Sequence, residues 1–127
     1  MAGLKNILIV EDEIMIRDLY RTVLVRDGYS VTIAGNSQEA FAALQKSHAD
    51  VILLDIMLPG MSGIDILKEL RSNPVHNCQK NFILLLTNLA QPDLNKLAFD
   101  NKADGYVIKA DILPDDLVKI IASFDES

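Results

Sequence analysis

The sequence predicts an α/β domain in which helices cover both faces of a parallel sheet. Short apolar runs without a wet face alternate with segments whose apolar residues recur at helical spacing, and the alternation repeats five times. The length of 127 residues suits one domain that buries a core without disulfide support.

The strands are read at Ile7 to Val10, Val31 to Ala34, Val51 to Leu54, Phe82 to Leu86 and Tyr106 to Ile108. The middle three lack polar alternation and are expected to be buried on both faces. Ile16, Leu19, Val23 and Leu24 form the apolar stripe of a first helix, and Asp27, Gly28 and Tyr29 punctuate its return to the second strand. Ala40, Phe41 and Leu44 mark a second helix. A third starts near Ser62 and carries Ile64, Leu67 and Leu70, while Leu94, Leu97 and Ala98 belong to a fourth. The last opens at Pro114, has Asp115 and Asp116 in its first turn, and turns Leu117, Ile120 and Ile121 inward. Right-handed crossovers then gather the loops at the carboxyl ends of the strands. The polar stretch Ser72 to Lys80 is expected to be a surface loop, and a single domain over residues 1–127, with its core about 5–124, is expected.

A formal charge of −6 disfavours attraction to nucleic-acid phosphates or anionic lipid, so no direct nucleic-acid binding and no membrane insertion are expected. The lone cysteine, Cys78, forms no internal disulfide, and no apolar stretch has signal-peptide length; a cytoplasmic location is the default expectation. His48, His76 and Cys78 lack zinc-site spacing, and Cys78 is read as a loop or partly covered thiol.

Asp55 ends the run Val51 to Leu54 and is followed by Pro59 and Gly60, so a carboxylate stands where a strand opens into a turn. Glu11 and Asp12 follow the first strand in the same way. Three converging carboxylates repel one another and bind protons more tightly unless a cation neutralises them, which marks a candidate divalent-metal site. Taken alone, an Asp at a strand end is more often a turn or helix cap.

The whole set, with Glu11 and Asp12 after the first strand, Asp55 after the third, Thr87 after the fourth and Lys109 after the fifth, resembles a response regulator receiver domain of two-component signalling. Met57, Pro59, Gly60, Met61, Gly63, Gly105 and Tyr106 are similar to the surrounding family pattern. The resemblance runs from Ile7 to about Ile121 and implies a flavodoxin-like three-layer sandwich with strand order 2-1-3-4-5. It further implies that Asp55 accepts a phosphoryl group from a sensor histidine kinase or a histidine phosphotransfer protein, with Mg²⁺ as cofactor and Mn²⁺ able to substitute. Asp12 and Asp55 would ligate the metal, Met57 through its backbone carbonyl, and Glu11 through water. Thr87, the Asn88 N–H and Lys109 would contact the phosphoryl group, and Tyr106 would turn inward as the fourth helix, fifth strand and fifth helix change their shared face. Implied next are a downstream output protein or a C-terminal output domain, and a homodimer through the last two helices stays open. A receiver of this kind is a phosphoacceptor that assists its own phosphorylation and dephosphorylation, not an enzyme turning over a metabolite.

The chain departs from the commoner family pattern at Glu11, where Asp is frequent, at Asn88, where a smaller residue is usual, and at Ala110, where proline often follows the lysine. The path from Ala110 to Pro114 is one residue longer than usual. A cis Lys109–Ala110 bond would be costly. A flavin carrier is disfavoured because Glu11, Asp12 and Glu13 would repel a cofactor phosphate. A haloacid-type phosphatase is disfavoured by the missing Asp-x-Asp start, and a phosphorylation-independent interaction module remains as the alternative.

Overall fold

The computed structural model describes residues 3–88 and 92–125. Five strands, β1 (Asn6–Val10), β2 (Ser30–Ala34), β3 (Val51–Asp55), β4 (Phe82–Thr87) and β5 (Gly105–Ile108), alternate with α1 (Ile14–Arg26), α2 (Ser37–Lys46), α3 (Gly63–Ser72), α4 (Pro92–Asp100) and α5 (Pro114–Asp125). All pairings are parallel, in the order β2-β1-β3-β4-β5. Asn36 caps α2 by accepting from the Glu39 N–H, and Ser62 caps α3 by accepting from the Asp65 N–H.

Strand alternation sorts the core into two halves. Leu8, Val10, Ile52, Leu54, Ile83 and Leu85 meet α2, α3 and α4 through residues such as Ala40, Ile66, Leu67 and Ala98. Ile7, Ile9, Val51, Leu53, Leu84 and Leu86 meet α1 and α5 through Tyr20, Val23, Leu24, Leu117 and Ile121.

Three expectations need correction. β2 is not buried on both faces; it is the sheet edge, and Ser30 and Thr32 are exposed. On α1, Ile16, Val23 and Leu24 pack inward as expected, but Leu19 is 49% exposed and Tyr20 takes its place inside, while Leu97 on α4 is also partly exposed. Finally, residues 72–80 are not simply a surface loop. They contain a 3₁₀ turn at Pro74–His76 and bury Cys78 completely, and burial pushes the thiol pKa up.

Arg71 explains how a polar segment is held so closely. Its Nε donates to the Lys102 carbonyl, its Nη1 to the Cys78 and Asn81 carbonyls and to Asn81 Oδ1, and its Nη2 to Asp104. One planar fork therefore joins α3, the following loop and the turn before β5. Arg71→Ala is expected to cost about 2–4 kcal/mol, because carbonyls lose their donor and Asp104 its ion-pair partner. The urea midpoint checks this, and Arg71→Lys should recover little of the loss because an ammonium cannot reproduce the fork.

Candidate functional site

The row of side chains that puts Ile7 and Ile9 against α1 and α5 continues at Glu11, the row of Val51 and Leu53 ends at Asp55, and that of Val107 continues at Lys109. Three ionic side chains thus leave three strands on one side of the sheet. Backbone bonding runs past the strand ends, with Glu11 N–H donating to the Ala34 carbonyl at 2.9 Å and Ile56 N–H to the Leu86 carbonyl at 2.9 Å. The backbone is fixed where the side chains emerge.

Glu11 and Asp55 are almost fully buried, and the Lys109 side chain is 5% exposed. Lys109 Nζ donates to Glu11 Oε1 at 2.5 Å and lies 3.1 Å from Asp55 Oδ2. Asp55 Oδ1 accepts from the Met57 N–H at 3.2 Å, and Glu11 Oε2 from the Glu13 N–H at 3.2 Å. Carboxylate oxygens of Glu11, Asp12 and the Asp55 side chain lie within 4.8 Å of one another, with Asp12 at the exposed rim. Such an all-oxygen, partly open set fits a hard divalent cation that keeps some of its water.

Burial raises the Glu11 pKa to about 7; the hydrogen bond and repulsion from Asp55 act in the same direction, and Lys109 opposes them. For Lys109, burial pulls the pKa down, but the Glu11 hydrogen bond and the Asp55 and Glu11 charges outweigh it and leave the ammonium above its ordinary value. The folded protein therefore holds a Glu11 proton that the unfolded chain has released once the pH exceeds the ordinary value of 4.5. Through this group, stability falls as pH rises from about 4.5 to about 7 and levels off above. Lys109 stays charged throughout that window. Without divalent metal, the urea midpoint of the wild type is expected to fall between these limits relative to Glu11→Gln, and added Mg²⁺ should narrow the difference.

The turn after β3 owes its shape to two glycines. Gly60 has φ +78°, a left-handed conformation that glycine adopts without strain. Gly63 donates to the Ile56 carbonyl at 2.9 Å and lies so close that a Cβ there would stand 2.2 Å from the Asp55 carbonyl oxygen. The first turn of α3 is thus pressed against the backbone carrying Asp55.

Other candidate residues occupy different surroundings. Thr87 ends β4 beside Ile108 and is buried, whereas Asn88 is exposed. Tyr106 lies half-buried against the α2, α3 and α4 side of the core, on which Leu94 also packs. The Met57 side chain is exposed. Residue 89, next to this group, lies outside the described residues. Lys109 opens a 3₁₀ turn, Lys109–Asp111, on the way to α5, and among the described residues every peptide bond is trans.

His48 and His76 stand apart from the acidic cluster. His48 Nε2 lies 3.7 Å from Asp50 Oδ1, while His76 Nε2 is 2.7 Å from Glu69 Oε2 and its ring stacks on Phe41. Among the described residues, the only cluster of at least three potential metal-ligating acidic, histidine or cysteine side chains is Glu11, Asp12 and Asp55. The sequence reading missed two features near the site: the inward position of Tyr20 and the close approach at Gly63. The first was concealed by the choice of helix stripe. The second was signalled only by glycine near the predicted start of α3.

Comparison with known proteins assigns this arrangement to a family. The family model described as response regulator receiver domain matches residues 7–122. Among related proteins, the sensory transduction protein RegX3 of Mycolicibacterium smegmatis is 34% identical over 105 residues, covering 82% of this chain and 43% of that protein. The uncharacterized transcriptional regulatory protein YkoG of Bacillus subtilis is 36% identical over 122 residues, covering 96% of this chain and 52% of its own length. The chain thus spans about half the length of these relatives. The chemotaxis protein CheY4 of Vibrio cholerae superposes with a TM-score of 0.86 at 30% identity, covering 95% of this chain and 98% of CheY4. A CheY-like receiver domain protein of Methanospirillum hungatei gives 0.85 at 29% identity, covering 98% and 95% of the two chains. With five parallel strands in the order 2-1-3-4-5 and helices on both faces, this chain belongs to the response regulator receiver domain family of two-component signalling systems.

Proposed function

We propose that this receiver domain takes a phosphoryl group from a sensor histidine kinase or a histidine phosphotransfer protein onto Asp55. The observation that carries the reading is the Asp55 carboxylate within reach of Glu11, Asp12 and Lys109 at the carboxyl ends of the strands. Glu11, Asp12, Asp55 and the Met57 carbonyl would hold Mg²⁺, which when bound offsets repulsion between the carboxylates and incoming phosphoryl oxygens.

An Asp55 side-chain oxygen attacks phosphorus. A new P–O bond forms, the P–N bond to the donor histidine breaks, and its electron pair returns to the imidazole nitrogen. Lys109 leaves the carboxylate for a phosphoryl oxygen, while the Thr87 hydroxyl and Asn88 N–H donate to others. As Thr87 moves, Tyr106 turns toward the space it leaves, and the surface of α4, β5 and α5 changes its affinity for an output protein or an attached output domain. The domain is consumed as acceptor in each event rather than acting as a conventional enzyme.

Intact-protein mass after exposure to phosphoramidate with Mg²⁺ tests the reading. The expected result is a gain of one phosphoryl group that EDTA prevents, with borohydride reduction placing it at residue 55. No gain, together with no binding of beryllofluoride by the folded protein, would instead favour the phosphorylation-independent interaction module. The exposed amide side chain of Asn88 beside Lys109 is the feature that supports that second reading.

A further inference from the structure

Tyr20 has no part in the chemistry described above, yet it lies on the same side of the sheet as Glu11, Asp55 and Lys109. It is only 5% exposed and belongs to the core between the sheet, α1 and α5. A groove of about 290 Å³ opens between α1 and the β5–α5 connection. Ile16 and Tyr20 line it from α1, Ile112 from the connection, and Lys109 and Asn88 also line it.

The hydrogen-bonding capacities at this groove are unequal in a useful way. An ammonium has three N–H donors. Glu11 and Asp55 pair with Lys109 at 2.5 Å and 3.1 Å, and two acceptors leave a third N–H to be placed. Tyr20 lines the same groove, and a phenol oxygen can accept a hydrogen bond as well as donate one. Burial raises the phenol pKa, and the Lys109 charge acts on it in the opposite direction. An ammonium with a third donor and a phenol able to accept therefore share a groove with largely apolar walls, where a polar contact gains strength from reduced solvent screening.

We propose that Tyr20 is a positioning residue for phosphoryl transfer, acting through Lys109. Its hydroxyl gives the ammonium a partner on the groove side as Lys109 withdraws from Asp55, freeing the attacking carboxylate oxygen. Without it, Lys109 remains longer between Glu11 and Asp55, and transfer slows. The inference rests on Asp55 being the phosphoacceptor.

The test compares wild type with Tyr20→Phe, which keeps the buried ring and removes only the hydroxyl. With phosphoramidate and Mg²⁺, the variant should fold with an unchanged melting midpoint but take up phosphoryl groups about threefold more slowly or worse. In a Lys109→Ala background the hydroxyl effect should disappear, because it acts through the ammonium. Equal uptake rates in wild type and Tyr20→Phe, or an undiminished effect without Lys109, overturns the proposal. Nitrogen-15 NMR of the Lys109 ammonium provides a readout independent of phosphorylation: Tyr20→Phe should shift its resonance or speed its hydrogen exchange. If wild type takes up no phosphoryl group, the receiver chemistry fails first, and an unchanged ammonium signal then overturns the role of Tyr20 as well.

Discussion

Asp55→Asn is expected to take up no phosphoryl group from phosphoramidate while remaining folded. Asparagine has nearly the same volume, and its amide oxygen can still accept from the Met57 N–H that bonds Asp55 Oδ1 at 3.2 Å. What disappears is the negative charge that the proposed phosphoryl transfer requires, and with it one of the carboxylates that crowd the site. Two effects follow. Mg²⁺ binding should weaken tenfold or more, about 1.4 kcal/mol, because an anionic ligand is lost. Glu11 loses the repulsion of a neighbouring carboxylate, so its pKa should fall toward the ordinary range and the pH dependence of stability attributed to it should shrink. Intact mass, calorimetric metal titration and urea midpoints at several pH values measure these separately. Stoichiometric phosphorylation at residue 55 in the intact variant would falsify the role given to Asp55.

Gly63→Ala should be strongly destabilising, because the methyl has no room against backbone. The added Cβ would stand 2.2 Å from the Asp55 carbonyl oxygen, 2.7 Å from Ile56 Cα and 2.8 Å from the Asp55 carbonyl carbon. All three are backbone atoms in a segment whose ladder bonds are already made, so α3 or the end of β3 has to move. The expected loss is about 2–4 kcal/mol, accompanied by weaker Mg²⁺ binding because the shift falls on Asp55 itself. Gly105→Ala is the useful contrast. There the close atom is Leu84 Cδ1 at 2.6 Å, the end of a side chain that can change rotamer, so the loss should stay nearer about 1 kcal/mol. Equal urea midpoints for the two variants would contradict the argument from backbone contact.

Much of the architecture was legible because β1, β3 and β4 carry uninterrupted branched apolar runs and the intervening helices keep their period. Ser62, Pro114 and the paired Asp115 and Asp116 marked helix starts by their ordinary chemistry. β2 misled although its signal was present: Ser30 and Thr32 alternate with Val31 and Ile33, the pattern of a strand with one wet face, and the order 2-1-3-4-5 puts it at the sheet edge. Arg71 was invisible for a related reason. Its carbonyl partners at Cys78, Asn81 and Lys102 are backbone atoms, which leave no residue-type signature. At the acidic site, convergence of Glu11, Asp12 and Asp55 could be inferred from strand ends. The preference of Lys109 for Glu11, at 2.5 Å against 3.1 Å to Asp55, depends on side-chain reach and required coordinates.

The division of the core by strand parity has a consequence for how far a substitution is felt through the domain. Glu11, Asp55 and Lys109 emerge on the α1 and α5 side, whereas Tyr106 packs with the α2, α3 and α4 side. Substitutions beneath the charged cluster and substitutions beneath the aromatic residue therefore disturb different packing neighbourhoods, coupled mainly through the shared strand ends. Sites in separate neighbourhoods tend to contribute additively. Core substitutions under α1 should then leave the packing of Tyr106 largely intact, whereas changes at the shared strand ends reach both halves of the core.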